Sequence, residues 1–376
     1  MDFGVTNEQK EFLASFKIFL DTVINDEKKT FEEKWIACAE YGLFGIPYEA
    51  IYGGIDEQYV TAAMMMQELG YICNDSGFAF CITNHIWACL NSIYHYGSKV
   101  LKGKYVSSLI SGHQIGALAL TESESGSDFL SINTNARVTE EGYIINGHKS
   151  FISNCPIADI FIVSARTGNK GDLNSISCFV CEKNTPGLIV MQESIKMGLE
   201  TCPMSDVVFK DVFIPKENIL GKWGNGIKVL NGIMEWERCF EFAVQVGTMK
   251  RIMEESIKYS EMKKKDCFQA ITHKIAKMKI NIELAENMMY KIAWLKDQKK
   301  STFLESSIFK HFVSESYVQA SLDMLQIFGA YGYTSESGIE KDVRDALSSK
   351  IYAGSSEIQL NVIYRLIKYS VLINRG

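Results

Sequence analysis

The order of two sequence patterns limits the folds that this chain of 376 residues can adopt. Up to Gly112, apolar residues recur every three or four positions, which is the spacing of an amphipathic helix. Between Gly112 and Gly226, short runs rich in β-branched residues alternate with turn sequences, and the helical spacing then returns in longer pieces. We therefore predict an α+β fold with an N-terminal helical domain over residues 1–113, a central β domain over 114–222 and a C-terminal four-helix bundle over 223–376.

The same patterns predict the individual elements. Thr6 and Gln9 form a capping-box sequence ahead of the first helical run. Two polar stretches, 299–301 and 330–353, are predicted loops between C-terminal helices. The predicted helices cover residues 6–24, 32–41, 60–69, 86–96, 100–109, 226–264, 269–298, 302–329 and 354–373. The predicted strands cover residues 117–120, 143–146, 160–164, 176–181, 188–192 and 207–213.

Charge and hydropathy exclude several classes of function. Lys and Arg number 39 against 45 Asp and Glu, and the resulting net charge of −6 argues against a nucleic-acid partner. The longest apolar stretches fall short of the roughly 20 residues that a membrane-spanning helix needs. The N-terminal residues lack the basic and apolar layout of a signal peptide, so we expect no membrane partner and a cytoplasmic location.

Cysteine and histidine patterns argue against disulfides and metal sites. The ten cysteines are spread from Cys38 to Cys267 in a chain long enough to form a core without disulfides, so reduced thiols are expected. Cys178 and Cys181 form a CxxC sequence, but they lie in a predicted strand, where positions three apart face opposite sides. The six histidines show no zinc-binding spacing, and the sequence contains no nicotinamide or nucleoside-triphosphate motif.

Several short motifs follow one another along the chain. The most specific is ALTESESGSD at residues 119–128, and a second motif, IYAGSSEIQ, spans residues 351–359. Together the motifs resemble those of the acyl-CoA dehydrogenase family, in which helical, β and helical domains occur in the same order. The further motifs that carry the resemblance lie at residues 42–47, 52–54, 67–70, 96–98, 102–105, 143–153, 196–198, 208–215, 326–329, 331–333 and 344–346.

The resemblance implies a flavoprotein with FAD as its cofactor. Members of the family remove an α proton and a β hydride from an acyl thioester, and the hydride passes to flavin N5. A hydroxyl-rich loop with Gly126 suits close approach of a backbone to a cofactor, although an ordinary solvated turn has the same composition. The positions matched to cofactor contacts are Leu120, Thr121, Ser127, Phe151, Ser153, Phe268, Gln326, Gly329, Ser355 and Glu357. Those matched to substrate contacts are Ser127, Trp236 and Arg238.

The catalytic base is expected on a helix rather than in the second motif. The family's usual base precedes a glycine there, and this chain has Ala353 at that position. Other members place the base just before an arginine in the last domain, which matches Glu237 and Arg238. Glu237 follows the apolar spacing of its helix, so its pKa should be raised, whereas Glu235 and Glu241 are expected off that stripe. The alternative is that Glu237 only pairs with a neighbouring cation.

Other positions depart from the family pattern. Residues 259–269 are shorter than the family's spacing and lack its arginine; three consecutive lysines could supply charge there, or could be a solvated run. Glu200 and Cys202 replace an arginine and a serine, and Ala330 replaces a glycine. These departures favour a carrier other than coenzyme A, such as an acyl carrier protein that holds a small amino-acyl or hydroxy-acyl group.

The expected function is therefore FAD-dependent dehydrogenation of a small acyl thioester carried on coenzyme A or on an acyl carrier protein. Bulky residues such as Trp87, Trp236 and Phe240 favour a short acyl group. The expected partners include an electron-transfer acceptor and further copies of the chain, in a homotetramer or homodimer. The alternatives are a flavin oxidase or monooxygenase on the same scaffold and a non-catalytic binding protein.

Overall fold

The computed structural model describes residues 6–373, and its first part is helical as predicted. Thr6 caps the first helix through a capping box with Gln9. One helix, Ser76–Thr83, was missed because it is almost wholly apolar, so that no spacing distinguishes its faces. The helices are α1 (Asn7–Phe19, continued by a π-helical turn over Leu20–Ile24), α2 (Phe31–Glu40), α3 (Tyr59–Ile72), α4 (Ser76–Thr83, joined by π-helical Asn84–Leu90 to the next), α5 (Asn91–Tyr96) and α6 (Lys99–Ile110).

The middle of the chain forms one twisted sheet. All six predicted runs are strands, and two strands were missed: β2 is a short polar segment between β3 and β4, and β8 has only two residues. The strand order is β6-β7-β3-β2-β4-β5-β8, and β1 pairs in parallel with β4. The strands are β1 (Gly116–Ala119), β2 (Asn135–Val138), β3 (Gly142–Ser153), β4 (Ile160–Arg166), β5 (Ile176–Glu182), β6 (Leu188–Glu193), β7 (Met204–Pro215) and β8 (Ile219–Leu220).

The two faces of the sheet belong to different cores. Cys178 packs into the core shared with the helices, whereas Cys181 packs into the core of the β domain. The prediction that these two thiols face opposite sides is therefore confirmed. All ten cysteines are free, and nine of them are buried. No helix within residues 6–373 is long and apolar enough to cross a membrane.

The C-terminal part forms the predicted bundle, with one error in the prediction. The stretch 330–353 was predicted as a loop, but it contains the helix Ile339–Ser348, whose five charged residues gave it the appearance of a polar linker. The long helix Gly226–Met262 is buried on every side between Trp236 and Met249, so it runs through the core rather than along its surface. The helices are α7 (Gly226–Met262), α8 (Gln269–Asp297), α9 (Phe303–Phe328), α10 (Ile339–Ser348) and α11 (Ser356–Ile373).

A buried ion pair joins the end of β1 to the sheet. The Lys149 ammonium, on β3, is fully buried and lies 2.9 Å from Glu122 Oε1. It also donates to the Leu120 carbonyl at 2.9 Å and to the Ser164 hydroxyl at 3.2 Å. Glu122 accepts a further hydrogen bond from the Thr134 amide at 2.9 Å. This network fixes Leu120 and the loop that follows it against the sheet.

Replacing Lys149 by methionine should lower the free energy of unfolding by about 3–5 kcal/mol, because the carboxylate of Glu122 is then left buried without its cation. Urea unfolding followed by circular dichroism measures the loss. The double variant Lys149→Met with Glu122→Gln should recover part of it.

The matched control is Lys104→Met, which removes a 2.7 Å ion pair between half-exposed side chains of Lys104 and Glu182. A loss of no more than about 1 kcal/mol is expected in this variant. Equal losses in the two lysine variants would contradict a structural role for the buried pair.

Candidate active site

The end of β1 and the bend in β3 meet at one edge of the β domain. Ser150 donates its backbone N–H to the Thr121 carbonyl at 2.8 Å, which places Leu120 and Thr121 beside Phe151. Leu120 is buried, while Thr121 and Ser153 are half-buried. This hydrogen bond therefore brings together four of the residues predicted to contact the cofactor, two after β1 and two on β3.

Phe151 has a strained and exposed conformation. Its φ is 61°, in the left-handed region, and its side chain is 58% exposed. The Phe151 amide donates to Asp206 Oδ1 at 3.0 Å, across a register shift in the pairing of β3 with β7. A non-glycine residue in this region costs about 1–3 kcal/mol, and such residues cluster at ligand sites. The strain therefore marks this edge as a site for a ligand.

A hydrogen bond within the loop after β1 holds part of that loop in place. The Ser125 hydroxyl donates to the Asp128 carbonyl at 2.5 Å, while the Ser127 side chain is exposed. The structure thus places Ser127 on the same loop as Thr121 but at the surface, and its predicted contacts with cofactor and substrate stay a prediction.

On α7, the predicted base is buried and unpaired. Glu237 is 5% exposed, and its carboxylate makes no hydrogen bond or ion pair among the described residues. Burial raises the pKa of Glu237 to about 8, although the Arg238 guanidinium acts in the opposite direction. Arg238 instead donates through Nε to the Ala353 carbonyl and through Nη1 to the Ser307 hydroxyl, both at 3.1 Å. The pKa of Glu237 therefore lies close to the pH at which a general base works best.

Arg238 also joins α7 to the second signature motif. A Cβ atom at Gly354 would lie 3.4 Å from the Arg238 guanidinium and 2.8 Å from Gln359 Nε2, so this approach requires glycine. The two predicted cofactor residues at the start of α11 follow directly: Ser355 is half-buried and Glu357 is exposed. The Glu357 amide and the Ser355 hydroxyl hold the pKa of Glu357 below its ordinary value.

The structure corrects the prediction for Glu241. This residue was expected to lie off the apolar stripe of its helix, but it is 4% exposed, because α7 is covered on every side. Burial, together with the charge of Glu237, raises the pKa of Glu241. Lys310 on α9 is also buried, its Nζ has no hydrogen-bond partner among residues 6–373, and burial lowers its pKa to about 8. The sequence analysis did not identify Lys310.

Glu241 lines a small cavity. The cavity has a volume of about 20 Å³, enough for one group of the size of a water molecule. Gln245 lies one turn further along α7, lines the same cavity and donates through Nε2 to the Tyr352 hydroxyl. The signal that could have revealed this site is the spacing of Glu237, Glu241 and Gln245, three polar residues four apart in a stretch where Arg238 is the one other polar residue.

The cavity and the edge of the β domain are neighbours. The Cys202 thiol donates to Asn154 Oδ1 at 3.5 Å, and Asn154 directly follows Ser153. The same thiol interacts electrostatically with Glu241, which in turn interacts with Glu237. The predicted base and the four predicted flavin residues at this edge of the β domain therefore belong to one region of the molecule.

The structure places Trp236 in an aromatic cluster next to α3 and α5. Its ring stacks on His95 with a centroid distance of 4.7 Å, and the Lys296 ammonium lies 4.0 Å from its centroid. The second competitor for the base, Glu235, pairs with Lys296 at 2.6 Å. Although burial opposes ionisation, Lys296 and the Thr302 hydrogen bonds hold the pKa of Glu235 below its ordinary value. Glu235 is therefore structural, and a substrate contact by Trp236 stays a prediction.

The remaining predicted cofactor residues lie at the far end of the bundle. Gln326 is exposed near the end of α9, Gly329 follows that helix with a φ of 67°, and Phe268 is exposed before α8. Ser307, which binds Arg238, is 19 positions before Gln326 on the same helix, or about 28 Å away at 1.5 Å per residue. Within a single chain, these residues are therefore too far from Arg238 to contact the same cofactor group.

One lysine of the 263–265 run has a structural contact. Lys265 donates to the Ile327 carbonyl at 3.1 Å, near the end of α9. Its ammonium also lies 5.3 Å from the centroid of the Tyr259 ring, which stacks on Phe328. The run is therefore more than a solvated stretch of charge.

The residues at the edge of the β domain fit a flavin ring. Phe151 offers an exposed aromatic face, while Leu120 and Thr121 lie beside it in the segment that directly follows β1. An apolar platform with backbone polar groups suits a flat heteroaromatic ring. A buried carboxylate in the same region as such a platform is typical of one class of enzyme, the flavin-dependent dehydrogenases that act on carbon acids.

Models of one family match almost the whole chain. Those for the acyl-CoA dehydrogenase N-terminal, middle and C-terminal domains match residues 6–113, 117–212 and 224–368. The chain belongs to the acyl-CoA dehydrogenase family.

Curated proteins and solved structures give the same result. The chain is 33% identical to the L-prolyl-[peptidyl-carrier protein] dehydrogenase of Serratia sp. (strain ATCC 39006), over 97% of this chain and 98% of the relative. The crystal structure of the prolyl acyl carrier protein oxidase AnaB superposes with a TM-score of 0.94 at 36% identity, covering 97% of this chain and 100% of that one. The structure of PigA with FAD and proline gives 0.94 at 33% identity, covering 98% and 99%.

The raised pKa of Glu237 predicts how the reaction depends on pH. A base must be ionised to accept a proton, so kcat/KM should rise with pH and level off above a pKa of about 8. Stopped-flow measurement of flavin reduction without oxygen gives this profile. Flavin absorbance at each pH separates loss of cofactor from loss of base, and a rate that falls through this range would contradict the assignment.

Proposed function

We propose that the protein is an FAD-dependent dehydrogenase of a small acyl thioester, with Glu237 as the base that removes the α proton. The observation that carries the proposal is a buried carboxylate that has no ion-pair partner among residues 6–373, and burial raises its pKa. A thioester α-CH is a weak acid, so its removal needs a base that is ionisable near neutrality and shielded from water. Bound FAD supplies the hydride acceptor for the β position.

The protein's own residues position this base. Arg238 holds α7 to the segment around Ala353 and Gly354, so the carboxylate of Glu237 is fixed in the same region as the start of α11. The stacked rings of Trp87 and Phe240, 4.0 Å apart, fill the core on another side of the helix. Neither ring lines the cavity beside Glu241, so a short acyl group stays a prediction from the sequence.

We propose a carrier protein, rather than coenzyme A, as the holder of the acyl group. The names of the relatives support this, since they act on prolyl groups held by carrier proteins. Two departures from the family pattern support it as well. Glu200 stands where the family has an arginine, and it pairs with Arg344 at 2.6 Å, so the Arg344 charge is neutralised there. The buried Cys202 stands where the family has a serine hydroxyl. Coenzyme A is the alternative carrier.

The proposed enzyme is a homotetramer or homodimer. The separation of about 28 Å between Ser307 and Gln326 along α9 supports this, because residues at both ends can serve one kind of cofactor site if they come from different subunits. Phe268, Gln326 and Gly329 would then contact the cofactor of a partner subunit. We also expect the cytoplasmic location predicted from the sequence.

The electron acceptor has two candidates. An electron-transfer protein is the proposed acceptor, since the chain belongs to a dehydrogenase family. Molecular oxygen is the second candidate, because AnaB is described as an oxidase. Peroxide release in air after substrate addition identifies the oxidase, while flavin that stays reduced in air identifies the dehydrogenase.

The first test is the visible spectrum of the purified protein. Anaerobic addition of a short acyl group on a carrier protein should bleach the flavin band, and the same group on coenzyme A should bleach it more slowly. Equal or faster bleaching with coenzyme A would overturn the choice of carrier. A protein that takes up no added FAD would overturn the proposed function as a whole.

Glu237→Gln should retain the flavin and lose its reduction by substrate, because the amide cannot accept the α proton. The rate of bleaching should fall by at least about 100-fold, which is the low end of what a general base contributes. Glu254→Gln is a matched control on the same helix, since this carboxylate accepts from the Tyr71 hydroxyl, away from Arg238. Wild-type rates in the Glu237 variant would remove Glu237 from the mechanism.

A further inference from the structure

The cavity beside the base contains hydrogen-bond acceptors without donors. Glu241 is 4% exposed, and among the described residues its carboxylate makes no hydrogen bond or ion pair. Gln245 lines the same cavity, and its Oε1 is buried without a hydrogen-bond partner within residues 6–373. Buried acceptors of this kind are costly in a folded protein, so their retention points to a ligand that donates to them.

Nearby cations do not satisfy Glu241. Lys310 on α9 interacts with it electrostatically, but among residues 6–373 the two do not come within ion-pair distance. The Lys310 ammonium lies 5.5 Å from the centroid of the Phe242 ring. Arg238 is engaged by Ala353 and Ser307. The carboxylate of Glu241 is therefore free to bind a hydrogen-bond donor of a ligand.

We propose that Glu241 and Gln245 bind the amine of an amino-acyl substrate while Glu237 removes the proton from its α carbon. This proposal rests on the proposed function and narrows its substrate class. An amine or ammonium presents two or more N–H donors, which matches the two acceptors, whereas a hydroxyl presents one. The cavity of about 20 Å³ holds one group of the size of a nitrogen with its hydrogens.

The spacing along α7 agrees with this arrangement. Residues 237, 241 and 245 are four apart, so their side chains lie on one face with about 5–6 Å between successive Cβ atoms. In an α-amino-acyl group the nitrogen is one bond from the carbon that loses its proton. One carboxylate can therefore reach the α proton while the next, one turn along the helix, reaches the amine.

The test compares two thioesters that differ only at the amine. Prolyl and cyclopentanecarbonyl groups, each loaded on the same carrier protein, are used with the flavin-loaded enzyme. Wild type should prefer the prolyl group in kcat/KM by at least about 10-fold, as a charge-assisted hydrogen bond implies. In Glu241→Gln this ratio should fall by about 10- to 100-fold, chiefly through KM for the prolyl group.

Matched variants and a binding measurement keep the outcomes distinct. Glu254→Gln should keep the wild-type ratio, and flavin content with thermal unfolding shows that each variant folds. Calorimetric titration with the two thioesters tests the amine preference even in an enzyme that reduces no flavin, so failure of the proposed function is seen separately. Equal preference for the two groups in wild type, or an equal loss on both in Glu241→Gln, would overturn the proposal. The wild-type comparison stands even if the Glu241 variant does not fold.

Discussion

The burial of α7 on every side is the constraint on which the site depends. A helix satisfies its own backbone hydrogen bonds and can therefore cross a core, but each polar side chain on it must find a partner there. Glu235 has Lys296, and Arg238 has Ala353 and Ser307. Within residues 6–373, Glu237 and Glu241 have neither an ion pair nor a hydrogen bond. The paired residues hold the helix in place, whereas the unpaired carboxyl groups of Glu237 and Glu241 are left to contact a ligand.

Much of the fold could be predicted from the sequence, because periodicity reports which faces are covered. The four long helices were found to within two residues at each end, and each predicted strand run lies on a strand, although the prediction for β3 covered only its first part. The same reasoning failed where every face is covered or none is apolar, as in α4 and α10, and it wrongly placed Glu241 away from the core. The 3.6-residue spacing of apolar residues reports a buried face only where the opposite face is exposed to solvent, and the central part of α7 has no exposed face.

The site could be predicted only in part, because it joins residues that are distant in the sequence. Glu237 was identified from its place before an arginine, and Phe151 from its motif. Lys310 and Tyr352 come from segments distant in sequence, so no local pattern connects them with α7. The pairing of Lys149 with Glu122 likewise depends on how strands align. Three-dimensional neighbours of this kind require the packed structure.

The distribution of thiols in the fold has a practical consequence. Nine of the ten cysteines are buried, and burial raises the pKa of thiols such as Cys155, so they resist alkylation. Cys267 alone is exposed, next to Phe268 and at the end of the bundle opposite Arg238. Because a partner subunit is proposed to pack beside Phe268, a maleimide dye would attach at Cys267 only while that end of the bundle is uncovered. Its fluorescence would report events at that end of the bundle, in the natural protein and in real time.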